Sequence, residues 1–314
     1  MSAGSASATA TTVTATTVTA TTVTATTAVT EGGPDAPAVR RPRAGSFGRL
    51  VRSEMWLIAG RRRNQIGLLI LAAVPLLLGI AVWYNAPEPG DGPAFFSDIT
   101  TNGMFVALTA LTVEMPLFLP LAVAAVSGDA IAGEAGGGTL RYVLTVPVAR
   151  VRLVIAKYLA ALAGVLFAVL VIVTTGVLIG LILFGAGPVI TLSGFELSYA
   201  AGLGRVLIAA LYATAALASV LAIGILISTL TEQPIAAMIA VVIVTMTMQI
   251  IGSLPQFAPV HPYLVTTHWT AFTDVFREPM FLDNMTTGLV VFAVYTAAAL
   301  ALAALRFRTK DITS

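Results

Sequence analysis

The amino-acid sequence predicts an all-α integral membrane protein with six transmembrane helices. The 314-residue chain is 57% hydrophobic and has a mean hydropathy of +0.93. Only 10% of its residues are charged, whereas a typical soluble domain carries about 25%. The apolar residues are concentrated in six runs of roughly the 20 residues that a helix needs to cross a bilayer. Such runs favour helices because a backbone in lipid must satisfy its own hydrogen bonds.

The first 45 residues differ in composition from the rest of the chain. A five-residue unit of Thr, Ala and Val repeats through this region, and a stretch rich in Pro, Gly and Arg follows it. Such a segment cannot bury enough apolar surface to offset the entropy lost on ordering it. We therefore predict a disordered, dispensable tail over residues 1–45 and a transmembrane domain over residues 46–314.

Residues 46–64 predict an interfacial, or elbow, helix that leads into the membrane. Apolar residues recur there near helical spacing, and arginines, including the run Arg61 to Arg63, occupy other faces. This pattern is typical of a helix that lies at a membrane surface. The first span follows at Ile66–Tyr84, and its final Trp-Tyr pair is a typical anchor at the far membrane–water interface.

The five later spans are predicted from similar apolar runs. Two prolines, Pro116 and Pro120, and one carboxylate, Glu114, interrupt the second span. In the third span, Gly176 and Gly180 have the spacing that permits close packing against another helix. These five spans are predicted at Met104–Val126, Tyr158–Phe184, Gly204–Leu230, Ile235–Leu254 and Asn284–Leu305.

The distribution of Lys and Arg predicts which side of the membrane each segment faces. Fifteen of the seventeen basic residues lie in the N-terminal flank, between spans two and three, and in the C-terminal tail. Six spans place all three groups on one side, whereas an odd number would separate the C-terminal group. Because basic residues are retained in the cytoplasm, we expect a multi-pass protein of the cell membrane with both termini cytoplasmic.

The stretch Ser127–Lys157, between spans two and three, combines repeated charges with a glycine cluster. We expect it to lie in water as short amphipathic helices that are broken at Pro147. Its sequence GEAGGGTL is superficially similar to a phosphate-binding loop, but the Gly-Lys-Ser/Thr ending is missing. The chain is therefore not expected to be an enzyme that hydrolyses ATP, and no catalytic residue or cofactor site is predicted in it.

The segment 255–283 is too polar to cross the membrane and predicts short helices at the outer interface. Its two histidines, His261 and His268, lie near Asp274 in the sequence. We interpret them as interfacial polar residues, and the alternative of a metal site is disfavoured. The chain has no cysteine, so neither a disulfide nor a thiolate metal site can form.

Polar residues inside the spans are candidates for a substrate pathway. Glu114 is the sharpest of them, because a carboxylate inside a span is costly and usually faces a cavity or the bundle interior. Two interpretations stay open: an acid that contacts substrate or protons, and a residue that lies nearer the outer end or caps backbone freed by the prolines. In the fifth span, Thr245, Met248 and Gln249 belong to a polar, sulfur-rich stripe, for which flexible packing by Met is the alternative.

The central stretch also carries a family resemblance. After the second span the chain follows the pattern E…GT-L…P-V-x-R…K, formed by Glu134, Gly138, Thr139, Leu140, Pro147, Val148, Arg150 and Lys157. The chain end RFRTKDI is similar to the short basic tail of the same proteins. On these motifs, residues 46–314 resemble the permease subunits of type 2 ATP-binding-cassette (ABC) exporters. The triple glycine 136–138 and the Thr-rich tail depart from the family pattern.

The resemblance implies a function and partners for the chain. It implies a permease subunit of an ABC transporter that exports a substrate across the cytoplasmic membrane. Two permease copies, as a homodimer or heterodimer, would each dock on a separate subunit that binds ATP and Mg²⁺, and no nucleic acid is implied. A cytoplasmic coupling helix between spans two and three would make this contact, with the implied contact residues Glu134, Gly138, Thr139, Leu140, Tyr142 and Leu144.

Two other classes of protein stay open. A membrane-embedded scaffold or assembly factor would also bind a cytosolic partner, but without transport. An ion-coupled carrier would be expected to carry more buried ionisable residues and an internal repeat. Copurification of an ATPase would separate the ABC permease from both.

Overall fold

The computed structural model describes residues 46–88, 92, 95–136, 150–191, 193–280 and 282–309. The predicted tail over residues 1–45 lies outside these residues. So does most of the glycine-rich part of the central stretch.

The described residues are mainly α-helical, which confirms the prediction of an all-α membrane protein. In the loop after the third predicted span, two short strands, β1 (Val189–Ile190) and β2 (Glu196–Leu197), pair in antiparallel orientation. The α-helices are α1 (Ser46–Gly60), α2 (Arg62–Tyr84), α3 (Phe105–Glu114), α4 (Phe118–Gly136), α5 (Arg150–Phe184), α6 (Tyr199–Leu230), α7 (Pro234–Ser253) and α8 (Asp283–Thr309).

Five of these helices, α2, α5, α6, α7 and α8, are each long and apolar enough to cross a membrane. They correspond to predicted spans one, three, four, five and six. The second predicted span is a bent pair, because α3 and α4 meet at an angle of 59° across a break of three residues. Pro116 lies inside that break, where its ring and missing N–H disfavour a regular helix.

The bent pair extends along most of α5. At one end, the backbone of Gly103, just before α3, lies against the backbone of Gly180. At the other end, Glu134 of α4 contacts Lys157 of α5. These two contact points on α5 are separated by about 35 Å at 1.5 Å per helical residue, which exceeds the roughly 30 Å of a bilayer core.

The central stretch differs from its prediction at both ends. Residues 127–136 do not form a separate surface helix but continue α4, and α5 already begins at Arg150, seven residues before Lys157. The physical reason is that charges in these parts are compensated, so the helices can continue past the apolar runs. Glu134 pairs with Lys157, and Asp129 pairs with Arg61 and Arg63. The interval 137–149 between them, which includes Pro147, lies outside the described residues.

Helix α6 lies at the centre of the bundle. In an 18-residue apolar stretch of α6, 72% is buried inside the bundle. The corresponding share is 33% or less in α2, α5, α7 and α8. It packs against α4, α5, α7 and α8. Its small residues permit this close packing: Ser228 Oγ accepts the N–H of Ala132 at 2.9 Å and donates to the carbonyl oxygen of Gly128 at 3.0 Å.

Helices α3 and α5 approach closely at glycines. A Cβ atom added at Gly176 would lie 2.6 Å from Cα of Ala107, and one at Gly180 would overlap the backbone of Gly103. The predicted role of Gly176 and Gly180 in close helix packing is confirmed.

The segment between α7 and α8 forms the predicted short helices. These are 3-10 helices over Pro255–Tyr263, Val265–His268 and Ala271–Phe276. Phe276 is buried and its ring packs edge-on against Phe95 and Phe105. Arg205 of α6 is also buried and donates to the carbonyl oxygen of Val275 at 2.9 Å, which holds this segment on the bundle.

Candidate functional site

Charged side chains meet at the end of the bundle where α1, α2, α4 and α5 come together. We call this group the Lys157 cluster, and it consists of Glu54, Arg61, Arg63, Asp129, Glu134 and Lys157. Glu54 lies on α1, Asp129 and Glu134 lie on α4, and Lys157 lies on α5. Arg63 lies in the first turn of α2, and Arg61 is the residue before that helix.

Lys157 is at the centre of the cluster. Its side chain is only 2% exposed, and Nζ lies 3.0 Å from Oε2 of Glu54 and 2.5 Å from Oε1 of Glu134. The two carboxylates are themselves mostly buried, with 11% and 14% of their side chains exposed. Lysine is almost never this buried without a partner. One ammonium therefore links α1, α4 and α5.

Asp129 forms the second part of the cluster. Its Oδ2 accepts hydrogen bonds from Nη1 of Arg61 and Nη2 of Arg63, both at 2.6 Å. Arg63 also donates from Nη2 to the carbonyl oxygen of Ala125 at 2.8 Å. The arginine side chains are 41% and 47% exposed, so these pairs are partly screened by solvent. They join the α1–α2 junction to α4.

The cleft inside the cluster is too small for a substrate or a nucleotide. Its cavity volume is about 20 Å³, which is room for roughly one water molecule. It is lined by Glu54, Asn64, Asp129, Glu134 and Lys157 among others. In this structure the charged groups contact one another, and their contacts position the helices.

The cluster lies at both ends of the predicted coupling segment. Helix α4 ends at Gly136, two residues after Glu134, and α5 begins at Arg150, two turns before Lys157. The structure therefore brings together Glu134 and Lys157, the first and last residues of the sequence pattern. The other implied contact residues lie outside the described residues; they are Gly138, Thr139, Leu140, Tyr142 and Leu144.

Two of the four predicted pathway residues lie at the break between α3 and α4. Glu114 is the last residue of α3 and is fully buried. Gln249 of α7 donates from Nε2 to the carbonyl oxygen of Pro116 at 2.6 Å, inside the break. On the same helix, Thr245 lies one turn before Gln249 and Met248 directly precedes it.

Thr245 and Met248 take part in packing. Thr245 is buried, and its hydroxyl donates to the carbonyl oxygens of Val241 and Val242 at 3.0 and 2.9 Å. Met248 is half-buried and packs against the apolar core. Both side chains therefore support α7 in this conformation.

The two histidines contact backbone carbonyl oxygens. Nε2 of His261 lies 3.1 Å from those of Ile251 and Leu254, and Nε2 of His268 lies 3.0 Å from that of Pro262. Across the described residues, no three potential metal-ligating side chains come together.

The roles of Glu54 and Asp129 and the pairing of the arginines were not predicted from the sequence. A signal for Glu54 was present, because it is the only acidic residue among the basic and apolar residues 46–64. Charged side chains next to a membrane span are expected to have partners. The identity of each partner depends on tertiary contacts, such as the one between Glu54 and Lys157, which are 103 residues apart.

Comparison with known proteins adds a family assignment to this geometry. A family model described as an ABC-2 family transporter protein matches residues 59–249. The match covers more than half of the 314 residues and includes every member of the Lys157 cluster except Glu54. No curated protein matches the chain significantly.

Proposed function

Because the chain belongs to the ABC-2 family of transporter proteins, we propose that it exports a substrate across the cytoplasmic membrane with ATP hydrolysed by a separate subunit. The family supports a permease role in an ABC transporter, and the apolar helices support a multi-pass membrane protein. The chain has no phosphate-loop motif of its own. In this proposal ATP and Mg²⁺ belong to the partner subunit.

The Lys157 cluster is the observation that carries the coupling part of the proposal. A segment that transmits movement between a cytosolic ATPase and the spans must be attached firmly to those spans. Lys157 provides such an attachment, because it joins α1, the end of α4 and the start of α5 around the 137–149 interval. Movement of the interval would then displace three helices together.

The proposed orientation places the Lys157 cluster and both termini in the cytoplasm. Counting the bent α3–α4 pair as one broken span makes six spans, an even number that keeps the three basic groups on one side. The positive-inside rule assigns that side to the cytoplasm. In this orientation α1 is the elbow helix at the inner membrane surface. Its exposed Met55, Trp56 and Leu57 would face lipid.

The proposed assembly contains a second permease copy. Large apolar side chains are exposed along α2, α7 and α8 of the single chain, including Leu69, Ile239 and Val290. Such surfaces face either lipid or another span in a membrane protein. A homodimer or heterodimer would cover part of them, and the substrate pathway would include Glu114 and Gln249 at the break between α3 and α4.

The test of the coupling proposal is a pulldown of the ATP-hydrolysing subunit with membrane-inserted permease variants. A docked helix depends on a few buried apolar anchors, here Leu140, Tyr142 and Leu144. Replacing any one of them by Asp is expected to cost about 2 kcal/mol or more, which is roughly thirtyfold in affinity. ATP hydrolysis stimulated by substrate is measured on the same samples.

Arg152→Ala is the matched control, because Arg152 is exposed and its guanidinium lies 5.8 Å above the ring of Phe47. Its loss is expected to cost less than about 1 kcal/mol in partner binding. Full partner binding and full stimulation in all three anchor variants would contradict the coupling role. A protein that binds the partner without ATP-dependent transport would instead be the scaffold or assembly factor.

A further inference from the structure

Glu114 is a buried carboxylate that lacks a hydrogen-bond partner within the part of the chain that the structure describes. Its exposure is 0%, and neither Oε1 nor Oε2 makes a hydrogen bond to a described residue. An ionised carboxylate in this position would lack compensation, and a protonated one would have no acceptor for its O–H. Burial of either form inside a membrane span is energetically unfavourable. Ionisable residues at such positions usually have a function.

The break between α3 and α4 does not supply that role. A bend frees backbone carbonyl groups, and a nearby polar side chain usually satisfies them. Here the carbonyl oxygen of Pro116 accepts a hydrogen bond from Gln249 Nε2 at 2.6 Å. Glu114 makes no such bond. Gln249 is therefore the capping residue of the break, and the carboxylate is available for a ligand.

The carboxylate lies close to an apolar surface of the chain. Met115 is buried like Glu114, but the next three residues, Pro116, Leu117 and Phe118, are exposed. The exposed fractions of Leu117 and Phe118 are 45% and 37%. A buried acid therefore lies two residues from exposed apolar side chains, at the point where two helices meet at 59°. A ligand would reach the carboxylate only if the two helices moved apart at this point.

We propose that Glu114 binds the positive centre of an amphiphilic cation and that the exposed residues of the break contact its apolar body. The inference rests on the proposed transport function and names the chemical class of its substrate. The carboxylate supplies the opposite charge, which is strong in a site of low dielectric constant. Leu117 and Phe118 supply apolar contact, and an aromatic ring next to a cation adds favourable interaction.

The test measures binding of two probe ions of similar shape and opposite charge to the full-length permease in lipid nanodiscs. Tetraphenylphosphonium is the cation and tetraphenylborate is the anion, and empty nanodiscs report partition into lipid. Glu114→Gln is expected to weaken tetraphenylphosphonium binding by at least about tenfold, because it removes the charge and keeps the shape. The same variant is not expected to weaken tetraphenylborate binding.

Two further variants make the test specific. Glu114→Asp keeps the charge and is expected to bind the cation more tightly than Glu114→Gln. Glu196→Gln removes an exposed carboxylate on β2 and is expected to leave cation binding unchanged. Equal binding of tetraphenylphosphonium by wild type and Glu114→Gln, or no saturable binding by the wild type, would overturn the inference.

Binding of the ATP-hydrolysing subunit is measured in the same nanodiscs. Retention of that partner without cation binding would overturn the substrate assignment and leave the transport function in place. Glu114-dependent cation binding without any ATPase partner would support the site and count against the proposed transport function.

Discussion

Replacement of Lys157 by Gln tests whether one buried ammonium holds α1, α4 and α5 together. Nζ of Lys157 lies 3.0 Å from Glu54 and 2.5 Å from Glu134, and its side chain is 2% exposed. Glutamine is shorter and neutral, so it can offer at most hydrogen bonds from one amide. The variant leaves two mostly buried carboxylates near each other without the cation that lies between them.

The expected loss of stability can be estimated from other buried ion pairs in which one partner has been removed. Removing one partner of such a pair destabilises a protein by about 3–5 kcal/mol, because the other charge stays buried without compensation. The carboxylates of Glu54 and Glu134 are 11% and 14% exposed, so solvent compensates them only slightly. We expect Lys157→Gln to lower the free energy of unfolding by about 3 kcal/mol or more.

The assay is denaturant-induced unfolding of the full-length protein in mixed micelles, with helix content as the signal. Arg152→Ala is the matched control and is expected to cost less than about 1 kcal/mol, because exposed charges contribute little. The triple variant Glu54→Gln, Glu134→Gln and Lys157→Gln leaves no buried charge in this part of the cluster. It is expected to be more stable than Lys157→Gln alone.

A Lys157→Gln protein within about 1 kcal/mol of the wild type, the level of an exposed pair, would refute the reasoning. So would a triple variant that is less stable than the single variant. Either result would mean that Lys157 does not hold the ends of the 137–149 interval.

Three further predictions test the packing, the electrostatics and the topology. Gly180→Leu is expected to prevent folded protein from accumulating, because even a Cβ there would overlap Gly103, whereas Gly204→Ala has open space and should fold normally in the same size-exclusion assay. Burial raises the pKa of Asp98 above its ordinary value, so the wild type loses stability as pH rises through that pKa. In thermal melts, Asp98→Asn should therefore have a higher melting temperature than the wild type at neutral pH, and this difference should shrink on acidification. A difference that does not change with pH would contradict the prediction. Single cysteines at the outer positions Gly90, Ser193 and Thr266 should react with an impermeant reagent in intact cells. Cysteines at the inner positions Ala149 and Thr313 should not react, and labelling at position 149 would contradict the six-span topology.

The membrane-spanning helices could be predicted from the sequence because their cause is local. An apolar run of sufficient length predicts a span wherever it occurs, and α7 differs from its prediction by only one residue at each end. The sequence also indicated an interruption of the second span, because Pro116 disfavours a regular helix at that point. The angle of 59° could not be predicted, since it depends on how both halves pack.

The extent of α4 and the start of α5 were harder to predict. Charges at Asp129, Glu134 and Lys157 indicated water on both sides of the glycine-rich interval. In the structure Glu134 pairs with Lys157, and Asp129 pairs with Arg61 and Arg63, so the helices continue through the charged positions. Such compensation depends on contacts between residues far apart in the sequence. The periodicity of apolar residues along the chain does not reveal these contacts.

The candidate site was predictable only in part. The sequence pattern singled out Glu134 and Lys157, and the structure shows them in contact. Their third partner, Glu54, and the capping role of Gln249 became visible only from the fold. Both depend on helices that meet across the bundle.

Site-specific photo-crosslinking from Tyr142 in native membranes tests directly whether this segment contacts an ATP-hydrolysing subunit. We expect a photoreactive residue at position 142 to form a crosslink to a subunit that carries an ATP-binding cassette. The same residue at Ser193, in the proposed outer loop, should form no such crosslink. A crosslink from position 193 but not from 142, or none to an ATP-binding subunit from either position, would contradict the proposal that this segment couples the permease to an ATPase.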